Sequence, residues 1–167
     1  MSQEIQGDEL EELIKYPDSG KRIGIVHLKM VKERRSLYGM KQFAEPKEAA
    51  AVVMPLFAHA DRELIVVMSL STRLEPLAME IVAVGGLDNC CIDIRNVFKH
   101  ALLSNANYII CFHNHPSGYP EPSEEDCQVT KKIEAAGKLL GILLLDHIII
   151  GDGNFYSYKE AGALEAG

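Results

Sequence analysis

The chain has 167 residues, 47% of them hydrophobic and 25% charged, with a formal net charge of −7. That length and balance suit one globular domain with its own core and exclude a disordered or fibrous chain. The acidic excess disfavours a dedicated nucleic-acid surface, which needs clustered Lys and Arg, and no apolar run reaches the roughly 20 residues that cross a bilayer.

Residues 1–20 are polar, with a short helical candidate at 8–15 and the turn signal PDSGK behind it. The opening MSQEIQGDELEEL lacks the basic-then-apolar layout of a signal peptide, so a cytoplasmic location is expected. RIGIVHLKMVK (22–32) alternates as a strand does. The overlapping basic run KMVKERR (29–35) reads most simply as a solvated strand end and loop. These segments make an N-terminal extension, 1–40, ahead of a core domain over 41–160 and a short tail, 161–167.

EPKEAAAVVMPLFAHA (45–60) places Ala49, Val52, Val53, Leu56, Phe57 and Ala60 on one helical stripe, with Pro46 in the first turn. Pro55 should kink that helix or mark its end. ELIVVMSLS (63–71) is apolar on both alternating faces, as a covered central strand would be, and PLAMEIVAVGG (76–86) reads as its neighbour. DIRNVFKHALLSNAN (93–107) predicts a second amphipathic helix, capped by Asp93, with Ile94, Val97, Phe98, Ala101 and Leu102 inward. His59 and His100 look like helix-surface residues.

YIICFH (108–113) is a third buried strand, a third helix runs from about Ser123 to Leu140, and GILLLDHIIIG (141–151) is a further strand. GDGN then turns the chain into FYSY (155–158). Strands interleaved with helices predict one α/β domain, a mixed sheet flanked by helices in three layers. The four cysteines, Cys90, Cys91, Cys111 and Cys127, have neither C-x-x-C nor zinc-finger spacing and read as free thiols.

The chemistry concentrates in CFHNHPSGYPEPSEEDC (111–127). Side chains at i and i+2 of a strand share a face, about 6.6 Å apart at Cα, so His113 and His115 point the same way. Ser123 opens the next helix in the capping pattern S-x-x-D. Asp126 shares a helical stripe with Thr130, Ile133, Gly137 and Leu140, and an inward carboxylate needs a partner. Taken singly, H-x-H is a common strand-end pair and Asp126 a cap residue. Taken together, two imidazoles and a carboxylate with a fourth position left for water match an open catalytic zinc site.

At this point the chain resembles a known family. His-x-His, seven residues, Ser, two residues, Asp is the JAMM motif of the MPN-plus (JAB) metalloproteases. HNHPSGYPEPSEED, with LLDHIIIGDG and YS downstream, is similar to its RadC branch over roughly residues 40–160. The resemblance implies a cytidine-deaminase-like JAB/MPN fold and one Zn2+ held by His113, His115 and Asp126. It also implies a glutamate general acid/base at the start of a central strand, which matches Glu63 in Arg62-Glu63-Leu64-Ile65, and an oxyanion-stabilising serine, Ser123. Glu75 and Glu80 compete less well with Glu63, being in a turn before Pro76 and in a different strand. Asp146 and His147 are adjacent in a strand and face opposite sides; one of them could support the metal ligands, or His147 could be an ordinary hydrogen-bonded core histidine.

The implied activity is zinc-dependent cleavage of an amide or isopeptide bond in a peptide or other amide substrate. The alternative is a non-catalytic, zinc-binding RadC-like accessory protein in DNA repair or mobile-element biology. RadC-like proteins usually carry an N-terminal helix-hairpin-helix domain, and residues 1–40 do not resemble one. A nucleoside deaminase would need H-x-E followed by P-C-x-x-C, which this sequence lacks.

Overall fold

A computed structural model describes residues 26–31, 43–85 and 92–164. The expected helix at 8–15, Cys90 and Cys91 lie outside those residues. The described elements are helices α1 (Pro46–Phe57), α2 (Ile94–Leu103) and α3 (Glu124–Leu140), and strands β1 (Leu64–Leu70), β2 (Pro76–Val84), β3 (Tyr108–Asn114), β4 (Leu143–Ile150) and β5 (Phe155–Ser157).

The strands form one sheet in the order β2-β1-β3-β4-β5. All neighbours are antiparallel except β3 and β4, which run parallel with α3 as the crossover between them. Parallel strands need such a crossover, and it brings the start of α3 back over the end of β3.

The alternation within each strand builds two cores. Val66, Met68, Ile110, Phe112, Ile148 and Ile150 pack with Ala49, Ala50, Val53 and Phe57 of α1. Ile65, Val67, Ile109 and Cys111 pack on the other face with Val97, Phe98 and Ala101 of α2 and Ile133 of α3. Each Val, Ile, Phe or Met side chain among them is worth about 1.5–3 kcal/mol when fully buried, so covering both faces, rather than local propensity, sets the sheet. The result is a three-layer α/β fold.

Several expectations change in detail. Residues 26–31 form no strand, and Val26, Leu28 and Val31 are 79%, 71% and 75% exposed. Alternation supplies a preference for extended chain, but a strand also needs an edge to pair with, and this segment pairs with none of β1–β5. On α1 the buried row is Ala49, Ala50, Val53 and Phe57, leaving Leu56 outward, and the helix stops at Phe57, two residues past Pro55. On α2, Asp93 caps by accepting from the Arg95 N–H at 2.9 Å. There His100 is buried, its Nδ1 3.1 Å from the Ser69 hydroxyl, and Leu102 is outward. Leu140 is likewise exposed at the end of α3. On α1 and α2 the sheet selects a face turned slightly from the expected one, whereas on α3 Thr130, Ile133 and Gly137 stay buried and only the terminal Leu140 emerges.

Among the described residues no helix is long and apolar enough to cross a membrane.

Candidate metal centre

β3 carries His113 to its last turn of pleat, buried, and His115 follows directly after the strand. The chain cannot continue straight. The His115 N–H donates to the Ile150 carbonyl at 3.0 Å, and the Gly118 N–H closes a turn onto the His115 carbonyl at 2.9 Å. Gly118 has φ +83°, the left-handed region that glycine enters without strain. Its carbonyl accepts from Asp152 N–H at 2.9 Å, which fastens the loop to the β4–β5 turn. Gly151 lies beneath that contact, where a Cβ would strike the Gly118 carbonyl and the Asn154 side chain.

The third residue arrives from α3. Ser123 caps that helix: its Oγ accepts from the Asp126 N–H at 3.1 Å, while its own N–H and O–H donate to Asp126 Oδ2 at 2.8 and 2.7 Å. Capping therefore occupies one carboxylate oxygen. The other, Oδ1, lies 3.1 Å from His113 Nε2, and Oδ2 is 3.4 Å from His115 Nε2. The two imidazole Nε2 atoms are 3.1 Å apart. So the cap and the cluster are not alternatives; Asp126 serves both.

Both imidazoles are held from behind. His115 Nδ1 donates to the Tyr119 carbonyl at 2.8 Å, which leaves the lone pair on Nε2 facing Asp126. His113 Nδ1 sits 2.9 Å from His147 Nε2. Two imidazole lone pairs and a carboxylate pressed this close repel one another unless a cation sits among them. A tetrahedral zinc ion with bonds of about 2.0–2.1 Å needs ligand–ligand separations of about 3.3–3.4 Å, and the 3.1 Å between the two imidazole nitrogens and the 3.1 Å from His113 Nε2 to Asp126 Oδ1 lie within a few tenths of an ångström of that. His113, His115 and Asp126 thus form a cluster that could hold a metal ion.

The electrostatics agree. Burial opposes ionisation of Asp126, but the facing imidazoles of His113 and His115 outweigh it and hold the carboxyl well below the usual range. The Asp126 carboxylate in turn raises His115 above the ordinary imidazole value, with a smaller contribution from Glu63. Burial keeps His147 well below that value.

Glu63 is half-buried immediately before β1 rather than within it. The β1–β3 pairing ends at Ile65 and His113, two residues after Glu63, and the Glu63 charge bears on His115. The Glu63 carbonyl is pinned by the Gly85 N–H at 2.8 Å. Asn114, between the two histidines, holds this strand start: its Oδ1 accepts from Leu64 N–H at 2.8 Å and its Nδ2 donates to the Arg62 carbonyl at 3.1 Å. Glu75 stands at the opposite end of β1, where Leu70 pairs with Pro76. Glu80 pairs with Val67 in mid-strand and bears on His100. Neither reaches the cluster.

Sequence reading puts Thr130 on the Asp126 stripe and offers Asp146 or His147 as a support, but misses the other residues behind the ligands and the contacts these make. Asn114 and the Tyr119 carbonyl carry no motif of their own. Thr130, one turn after Asp126, shares its helical face, and that spacing is the signal that places it there. His147 belongs with His113, and Asp146 points away to accept from the Ser157 hydroxyl at 2.6 Å and the Lys159 N–H at 3.0 Å.

Comparison with known proteins agrees with this geometry. Residues 43–163 match the family model described as RadC-like JAB domain. A UPF0758 protein of Methanosarcina acetivorans is 43% identical over 122 residues, covering 73% of this chain and 53% of the relative. One from Desulfitobacterium hafniense is 44% identical over 119 residues, covering 71% and 52%. One from Shouchella clausii is 39% identical over 158 residues, covering 92% and 69%. The chain spans about half the length of the first two relatives, and the relatives' names state no activity. A cluster built on His113, His115 and Asp126, in a three-layer fold matched over nearly all its described core, makes this chain a member of the RadC-like JAB domain family.

Proposed function

We propose that this protein is a zinc-dependent hydrolase of amide or isopeptide bonds, with His113, His115 and Asp126 as metal ligands and Glu63 as general acid/base. The observation that carries the reading is the convergence of two imidazole nitrogens, 3.1 Å apart, from a strand end with one carboxylate from a helix start, whose oxygens lie 3.1 and 3.4 Å from them. Zinc bound there would supply Lewis acidity, polarising a carbonyl and lowering the pKa of water to about 7.

The chain's own groups supply the rest. Glu63 takes a proton from the attacking water as the new C–O bond forms, and returns it to the leaving nitrogen as the C–N bond breaks. The bearing of its charge on His115 supports that role. Ser123 is the candidate oxyanion donor. Its hydroxyl proton rests on Asp126 Oδ2, so it must rotate to act, and the Ser123 N–H keeps Asp126 in place meanwhile.

The test joins metal analysis to a screen of amide and isopeptide substrates. Wild type and Glu63→Gln should each hold about one equivalent of zinc, the stoichiometry of a single site, and His115→Ala should hold none. Cleavage by wild type should fall by at least about a hundredfold in Glu63→Gln. Zinc retained by His115→Ala would overturn the ligand assignment. Cleavage indifferent to Glu63→Gln would overturn the acid/base role, and zinc uptake with no cleavage would favour a binding function.

A further inference from the structure

His147 reaches the cluster from β4, a third element that contributes no ligand. It is 1% exposed, and both of its ring nitrogens are engaged. Nε2 is 2.9 Å from His113 Nδ1, and Nδ1 is 2.6 Å from Thr130 Oγ1. Thr130 Oγ1 in turn donates to the Asp126 carbonyl at 2.7 Å.

That last bond sets the direction of all the others. A carbonyl oxygen can only accept, so the one hydroxyl proton of Thr130 is committed to it. Thr130 Oγ1 therefore accepts from His147, and His147 Nδ1 carries the proton. With its proton on Nδ1, the neutral imidazole presents the Nε2 lone pair to His113 Nδ1, 2.9 Å away. His113 must then donate through Nδ1, which leaves the His113 lone pair on Nε2, toward Asp126 and His115. The Tyr158 ring stacks on His147 at a centroid distance of 5.1 Å and an interplanar angle of 11°, which restrains its rotation.

We propose that His147 is the positioning residue that makes Nε2 the metal-binding atom of His113, and that Thr130 fixes its orientation. The closed path runs from the side chain of one ligand, His113, to the backbone of another, Asp126. It ties the strand-borne and helix-borne halves of the site together. An apolar residue at position 147 would free His113 to carry its proton on either nitrogen, and Nε2–H cannot bind a cation. Partners of this kind are worth about 10- to 100-fold in metal affinity. The inference rests on the metal reading above, but the tautomer can be measured with no metal present.

The experiment compares wild type, Thr130→Val, Thr130→Ser and His147→Phe. Two-bond proton–nitrogen correlations on metal-free, imidazole-labelled protein read which nitrogen of His113 bears hydrogen, about two pH units above the ordinary imidazole pKa of about 6.5. Zinc affinity is read by competition with a chromophoric chelator. Wild type and Thr130→Ser should show the Nδ1–H form of His113 and similar affinity. Thr130→Val and His147→Phe should lose that form and bind zinc about 10- to 100-fold more weakly. A folded Thr130→Val protein that keeps the Nδ1–H form would overturn the proposal, even where His147→Phe does not fold. Should wild type take up no zinc, the metal reading fails, and the tautomer comparison still decides the role of His147.

Discussion

Asp126 Oδ1 lies 3.1 Å from His113 Nε2, while Asp126 Oδ2 is taken up by the Ser123 N–H and O–H. One carboxylate thus ends a helix with one oxygen and faces a histidine with the other. The division explains how a helix start can hold a ligand rigidly without an additional residue: the cap fixes the rotamer, and the rotamer aims the free oxygen.

This division makes the roles separable. Asp126→Asn keeps an oxygen that can accept from Ser123 but removes the charge that balances a cation. It should fold with a stability loss within about 1–2 kcal/mol, the range for a weakened cap, yet lose at least about a hundredfold in zinc affinity, more than a supporting residue costs. Calorimetric zinc titration beside thermal unfolding checks both. A variant that binds zinc as wild type does would remove Asp126 from the ligand set.

Ser123→Ala removes the hydroxyl from both of its bonds. The cap loss should cost about 1 kcal/mol, which lowers the melting temperature by about 2–4 °C at this chain length. Ser123→Thr should restore most of it. An unchanged melting temperature in Ser123→Ala would show that the cap bonds contribute nothing net.

Gly137 sits in the middle of α3, where alanine ordinarily stabilises a helix by about 1 kcal/mol. Here an added Cβ would lie 2.5 Å from the Ile142 carbonyl oxygen, and that oxygen is backbone that cannot swing aside. Gly137→Ala should therefore destabilise, by about 1–3 kcal/mol as for overpacking. Denaturant unfolding measures it, and a gain in stability would mean that the α3–β4 connection yields more easily than its contacts imply.

Burial lowers the pKa of His100, opposed only in part by the charge of Glu80. Its Nδ1 faces Ser69 and its Nε2 is buried with no hydrogen-bond partner. The folded state therefore resists a proton that the unfolded state accepts. The stability tied to neutral His100 is present above the unfolded pKa of about 6.5 and is lost as pH falls below it toward the depressed folded value. His100→Leu should flatten that part of the curve. Parallel stability profiles for wild type and variant between neutral and mildly acid pH would show that His100 has no share in it.

Much of the site was legible before any coordinates. The i, i+2 spacing of His113 and His115 on an apolar strand, and S-x-x-D at a helix start, specify direction as well as identity, because strand pleat and helix capping are local rules. The same locality explains the misses. Periodicity gave α2 an inward face but could not choose between Leu102 and His100, since the choice depends on where the sheet lies. Alternation marked 22–32 as a strand, yet residues 26–31 find no edge to pair with.

By itself the order of residues determined which side chains lie on each face of each element, and so which groups were eligible as ligands. Only tertiary structure decided that β4 runs parallel to β3 and sets His147 beside His113, and that the start of β1 brings the Glu63 charge to bear on His115. The physical reason is range. Backbone geometry correlates residues a turn or a pleat apart, whereas a contact spanning 34 positions, such as His113 to His147, exists only once two covered sheet faces fix the order of the strands.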